Sequence, residues 1–275
     1  NNAFTYGSAH LSTNGIGGNL FTQTDAPNHV AIAPALQWSH HAMAAPAGGP
    51  YAYGYMNPTN IIEKDGFYYI MFASVATTGS GTSGTCIART NNLNDPSTWR
   101  AWNGDFGNPQ FNIPTHSPYH LSNPAHAPCV PFPFNILQVT KNSLTYNTFL
   151  GKYFLMNSGS YWEGGTKYCG IYYSTSDDLV NWEVVKKMTP FPLGGTDTDC
   201  VSAPPYAAYA SIIDHDSTDP NFNTVDDTFY LYWSRTNGPG QSFIPDADLV
   251  RQPASMCWSN DPECDIVTIN PSGLN

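Results

Sequence analysis

From Tyr168 to Trp182, YCGIYYSTSDDLVNW, large and small residues first alternate and then stop alternating. Ile171 and Tyr173 fall on one side of the alternation and Gly170, Tyr172 and Ser174 on the other, the period of a half-buried β-strand. Ser174 to Asp178 are turn formers whose short side chains bond nearby backbone N–H groups. Leu179 and Trp182 then resume the apolar face. The pattern predicts strand, tight polar turn, strand, with Trp182 covering the hairpin.

A second copy of this order runs from Cys86 to Trp102, CIARTNNLNDPSTWRAW, with Leu93 and Trp99 in the matching places. An aromatic strand opened by a turn precedes each copy: DGFYYIMFAS (65–74) before one and LGKYFLMNSG (150–159) before the other. A third such strand, DDTFYLYWSR (226–235), is followed by Asp248, Leu249 and Val250, and a half-copy lies at 6–21. Self-similar antiparallel units of this kind predict an all-β fold, a β-propeller, as one domain over 1–275. The aromatic strands recur about every 80 residues against about 40 to 50 for a compact blade, so long loops intervene. Three full blades and one half are expected; because a propeller must close its ring to remove sheet edges, the rest is expected either from a part of the first blade upstream of Asn1, the favoured reading, or from the weakly patterned segments 28–52 and 255–275.

Composition narrows the chemistry. With 41% hydrophobic residues, 14% aromatic, 23 Gly and 23 Pro, the 275-residue chain suits many short strands and leaves little room for helices. A formal net charge of −11 removes nucleic acid from the expected partners, because phosphate binding needs a basic stripe. The chain shows no apolar run long enough to cross a membrane, and its start at Asn1, without a Met or a signal-peptide pattern, reads as a processed or truncated end. Six cysteines fit disulfides and an oxidising, extracellular compartment. Cys257 and Cys264 bracket a short loop, while Cys86, Cys129, Cys169 and Cys200 allow three pairings. Without a CxxC, and with scattered histidines, neither a metal nor another cofactor is expected.

Several residues carry candidate chemistry. Glu163, in GSYWEGGT, stands beside Trp162, an apolar setting that would raise a carboxyl pKa and suit a general acid reaching inward from a loop. Of the adjacent His40 and His41, at most one faces a pocket if the chain is extended; His41 is the candidate substrate contact. Asp177 and Asp178 read as turn caps, and Asp214, His215 and Asp216 as a solvated turn rather than a calcium loop. Arg89, Arg100 and Arg235 are expected to pair with acids, ahead of the alternative of clamping an anionic sugar.

The segments GFYYIMF, YYSTSDDLVNW and NPTNII resemble the five-bladed propeller glycosidases, the group of arabinanases, β-xylosidases and invertase-type fructosidases, and more narrowly their uncharacterised secreted relatives, over about 53–252. The resemblance implies five blades, a carbohydrate substrate and paired carboxylates facing a central pocket. Its inner-strand positions map onto 55–60, 126–129 and 209–212 of this chain, and none holds a carboxylate. Asn57, Asn60, His126 and Tyr209 can hydrogen-bond a sugar, but a neutral Asn cannot act as nucleophile or base. Three activities therefore stand in order: glycoside hydrolysis with Glu163; a non-catalytic glycan-binding or structural role, in which an open ring takes a strand from a neighbouring chain; and polysaccharide lyase chemistry, which takes a His or Tyr base and a group neutralising the uronate carboxylate, roles His126 and Tyr209 could fill.

Overall fold

The computed structural model describes residues 7–8, 10–12, 21–23, 30–32, 54–56, 58–75, 84–115, 129–133, 143–163, 166–188, 207–219, 223–236, 247–256 and 268–269. They form strands joined by turns, with a single 3₁₀ turn at Pro96–Thr98 and no α-helix among the described residues. The chain divides into two compact units, Asn1–Phe132 and Pro133–Asn275.

In the first unit, Gly7–Ser8 (β1), His10–Ser12 (β2), Phe21–Gln23 (β3) and Val30–Ile32 (β4) make two small ladders, β2 on β3 and β1 on β4. A larger sheet follows from Gly54–Met56 (β5), Ile62–Lys64 (β6), Phe67–Val75 (β7), Gly84–Thr90 (β8), Arg100–Trp102 (β9) and Phe111–Pro114 (β10). Its order is β10-β9-β8-β7-β5, with β6 also on β7. Asp65 and Gly66 turn β6 into β7 with φ of 53° and 74°, the two positive φ values of the hairpin turn that an Asp-Gly pair favours. Alternation then sorts the sheet. Phe72, Cys86, Ala88 and Ala101 build one apolar face with Trp99 and Cys129, while Met71, Ile87 and Trp102 lie buried on the other.

Cys129–Phe132 stays with this sheet. Cys86 and Cys129 form a disulfide, selecting one of the three pairings open to Cys86. The Phe132 N–H donates to the Thr85 carbonyl at 2.7 Å, and its ring stacks on Trp102 with centroids 4.9 Å apart.

The second unit holds two sheets. One is built from Ser143–Asn147 (β11), Lys152–Glu163 (β12), Thr166–Ser176 (β13) and Lys186–Lys187 (β14), each antiparallel to the next. The other contains Ala207–Ile213 (β15), Thr228–Thr236 (β17), Ala247–Ser255 (β18) and Thr268–Ile269 (β19) in that order. Between them in sequence, Thr224–Val225 (β16) joins the first sheet in parallel to β11. Phe154, Met156, Ile171 and Tyr173 from the first sheet share a core with Ile212, Phe229, Leu231, Trp233 and Val250 from the second. At about 1.5–3 kcal/mol for each large apolar side chain removed from water, this core is the main force holding the two sheets together.

The two turns singled out in the sequence use the same bonds. Ser176 Oγ accepts the Asp178 N–H, as Thr90 Oγ1 accepts the Asn92 N–H. Asp178 Oδ1 accepts the Val180 N–H at 2.9 Å, as Asn92 Oδ1 accepts the Asn94 N–H at 3.0 Å. Trp182 and Trp99 are both buried over their turns. Trp182 also donates from Nε1 to the Leu179 carbonyl at 2.9 Å, which holds Leu179 at φ 73°.

Candidate functional site

The feature that departs most from ordinary strand geometry is in β15. Ala208 pairs with Ser234 and Ser211 with Tyr232, so two residues on β15, Tyr209 and Ala210, oppose Trp233 alone. This is a β-bulge, which bends a strand and re-aims a side chain. Ala210 turns into the core at 0% exposure, whereas Tyr209 sits at φ 57° with 68% of its surface exposed. A glycine takes that left-handed conformation freely; a residue with a Cβ holds it at a cost of about 1 kcal/mol. No burial of the ring offsets this.

The sheet around Tyr209 shows why its other face is polar. In β17, Phe229, Leu231 and Trp233 face the core, and Tyr230 and Tyr232 are half-buried on the opposite side. His215, just beyond β15, stacks on Tyr230 with centroids 4.5 Å apart, and its Nε2 is 2.7 Å from the Tyr232 hydroxyl. Arg251, paired with Tyr232 across the ladder, holds its guanidinium 4.9 Å from the Tyr230 ring centre. Pro253 and the 76%-exposed Leu249 are further along β18 on the same side. The result is a half-buried face of two tyrosines, an imidazole and a guanidinium, with the exposed Tyr209 ring on a neighbouring strand of the same sheet. Such a surface can stack on the C–H face of a ring ligand while donating and accepting hydrogen bonds at its rim.

The carboxylates do other work. Asp95, Asp105, Asp178, Asp214, Asp219 and Asp226 accept backbone N–H groups in their own turns. Burial pushes the Asp178 carboxyl up, but hydrogen bonds from Asn181, Val180 and Ser176 outweigh it and leave its pKa below the usual value. Glu183 is held low chiefly by its hydrogen bond to Lys152 Nζ at 2.5 Å, and the same bond raises Lys152. Burial, with a smaller push from Glu183, moves Tyr173 up to about 12. No group of three or more metal-ligating side chains occurs among the described residues.

The residues expected from sequence are placed unequally. Tyr209 is the bulge residue just described. Asn60 is exposed in the extended run beside β7, where Thr59 exchanges bonds with Met71, N–H to carbonyl at 2.8 Å and Oγ1 from N–H at 3.1 Å. Trp162 and Glu163 are the last two positions of β12, paired with Lys167 and Thr166. Glu163 is therefore on a strand end rather than in a loop; the side chains of both lie outside the described residues. His41, Asn57 and His126 also lie outside them. Sequence reasoning passed over His215, Tyr230, Tyr232 and Arg251 as site residues. The signal for the two tyrosines was present, in the strict alternation of 229–233 that sets them opposite the core.

No family model matches the chain, and no curated protein does. Among solved structures it is similar to a family 32 β-fructofuranosidase from Bombyx mori, at 12% identity and TM-score 0.38, over 74% of this chain and 33% of that one. A family 117 glycoside hydrolase from Zobellia galactanivorans matches at 13% identity and TM-score 0.38, over 80% of this chain and 56% of the other. A xylan β-1,4-xylosidase from Bacillus halodurans matches at 14% and 0.36, over 86% and 46%. The chain spans between a third and just over half of the length of these structures, and the likenesses are too distant to fix a site.

Proposed function

We propose that this chain is a secreted carbohydrate-recognising protein of the glycosidase-like propeller kind, its three larger sheets being blades and its β15–β18 face a sugar platform. The supporting observation is Tyr209, which keeps a large ring in solvent at a backbone conformation suited to glycine. Strained residues whose side chains gain nothing in packing are commonly held for a ligand. On the same sheet, the exposed Tyr209 ring offers an aromatic face for a sugar's C–H surface, and His215, Tyr232 and Arg251 add polar groups for its hydroxyls. The disulfide supports an oxidising compartment.

The test is titration of the full chain with neutral and acidic oligosaccharides, followed by intrinsic fluorescence and calorimetry. Tyr209→Gly is expected to keep the fold and weaken binding about tenfold, or about 1.4 kcal/mol. Unchanged affinity in that variant, or no saccharide bound at all, removes the reading.

Hydrolysis is the second reading, with Glu163 as general acid at the tip of the β12–β13 hairpin, where the Glu163 to Thr166 pairing ends the ladder. Glu163→Gln should then abolish turnover and leave binding intact. Lyase action through His126 and Tyr209 ranks third, and would show as an unsaturated uronate absorbing in the ultraviolet.

A further inference from the structure

Lysines form four ion pairs: Lys64 with Asp65, Lys152 with Asp177 and with Glu183, and Lys186 with Glu183. Arginine, whose planar fork suits carboxylates better, is used differently. Arg89 on β8 pairs directly with Arg100 on β9 in the antiparallel ladder, so the two side chains share a face as immediate neighbours. Like charges directly opposite each other destabilise a sheet. Neither meets a carboxylate among the described residues, in a chain with 21 acidic residues to choose from.

Arg89 is held in place by uncharged partners. Its guanidinium lies 4.1 Å from the centre of Phe67 and 4.4 Å from that of Phe111, and its NH1 donates to the Tyr69 hydroxyl at 3.0 Å. Tyr69 meets Phe111 edge-on at 5.6 Å. Two rings and a phenol thus restrain the cation and use one of its five N–H donors. Arg100 donates from NH1 to the carbonyls of Ser97 and Trp99, leaving its other nitrogens uncommitted among the described residues. One pleat along β9 on the same face, the buried Trp102 Nε1 has no acceptor there either. This face has fixed cationic donors in excess of acceptors, within a protein whose net charge is −11.

We propose that the Arg89–Arg100 face binds an anionic group carried by a glycan, a uronate carboxylate or a sulfate ester. An oxyanion between the two guanidinium edges converts their repulsion into two charge-assisted contacts, and the Phe67 and Phe111 rings keep Arg89 preorganised for it. This rests on the carbohydrate reading above and narrows its substrate class to acidic polysaccharides.

The experiment is calorimetric titration of the full chain with oligogalacturonate and its methyl-esterified counterpart, with a sulfated and an unsulfated dextran oligomer, and with sodium sulfate as the sugar-free probe. Acidic oligomers are expected to bind at least tenfold more tightly than their neutral counterparts, with the gap closing as salt rises. Oligogalacturonate and sulfated dextran distinguish carboxylate from sulfate ester. Arg89→Gln and Arg100→Gln should each remove most of that preference, Arg89→Lys should restore part of it, and Tyr209→Gly should leave the acidic-over-neutral ratio unchanged. Equal affinity for acidic and neutral oligomers in the wild-type chain overturns the inference even if an arginine variant fails to fold, while leaving carbohydrate binding standing. A preference untouched by both glutamine variants overturns it too. Sulfate that stabilises the wild-type chain but not Arg89→Gln, with no saccharide bound, keeps the anion site and removes the carbohydrate reading.

Discussion

Tyr209 and Leu179 share a left-handed backbone, at φ 57° and 73°, and differ in what their side chains gain from it. Leu179 is fully buried and Tyr209 is largely exposed. Replacing either by glycine relieves about 1 kcal/mol of backbone strain, but only Leu179 loses a buried side chain, worth roughly 3 kcal/mol or more. Tyr209→Gly should therefore raise stability by up to about 1 kcal/mol, and Leu179→Gly should lower it by about 2 kcal/mol. Urea unfolding midpoints check both, and a destabilised Tyr209→Gly would make the exposed ring a structural element. Asp178 gives a pH prediction. Its folded pKa lies below the ordinary 3.8, so the turn's extra stability is present above that value and lost as pH falls through the folded one. Asn92 makes the equivalent bond with a neutral amide. Asp178→Asn should thus keep the turn and flatten the stability curve below about pH 4, where the wild-type chain loses on the order of 1 kcal/mol. An equally steep acid limb in the variant would place the titration elsewhere, with Glu183 next in line because Lys152 holds it below 4.5.

At the scale of elements, the parts legible in the sequence were those set by local pattern. The aromatic strands at 65–74, 150–159 and 226–235 emerge as Phe67–Val75, Lys152–Glu163 and Thr228–Thr236, because period-2 alternation and turn residues act within a few positions. The tether of Cys129 is not legible for the opposite reason: its partner Cys86 is 43 residues away, and nothing local marks the link. Ser143–Asn147, SLTYN, is the strand that leads into the next sheet; it is short and mostly polar, and its burial comes from neighbours rather than composition. The site was less legible still. A bulge at Tyr209 depends on a register shift against β17, and the imidazole of His215 reads as a turn residue until Tyr230 is seen beneath it. The expected pairing of arginines with acids failed for Arg89 and Arg100 because aromatic rings and backbone carbonyls took their place. The tether carries its own prediction. Closing a 43-residue separation restricts the unfolded chain by about 4 kcal/mol in the loop-entropy account. The double variant Cys86→Ser with Cys129→Ser should lose roughly that much in denaturant unfolding, and a loss under about 1 kcal/mol would mean that Phe132 and its bond to Thr85 hold the segment without the covalent link.

For the whole molecule, the repeat of antiparallel sheets is informative only if the repeats close around one another. Edge strands such as Lys186–Lys187 and Thr268–Ile269 are short, and the first ends its sheet in two lysines, a composition that discourages pairing with another chain. Sheets built this way are protected at the rim and need burial at their faces, which a ring of blades provides and an isolated sheet does not. Compact scaling gives a radius of gyration of about 19 Å for 275 residues folded as one domain. Two separate bodies of the sizes of the two units, each about 14 Å, would give about 23 Å even when touching. Small-angle X-ray scattering of the monomer therefore decides between one ring and two tethered units, and the ring predicts the smaller value together with a single cooperative unfolding transition seen alike by fluorescence and circular dichroism. A value near 23 Å with two transitions would leave each unit to fold on its own. The β15–β18 platform and the Arg89–Arg100 face would then be sites of separate modules rather than of one enzyme-like body.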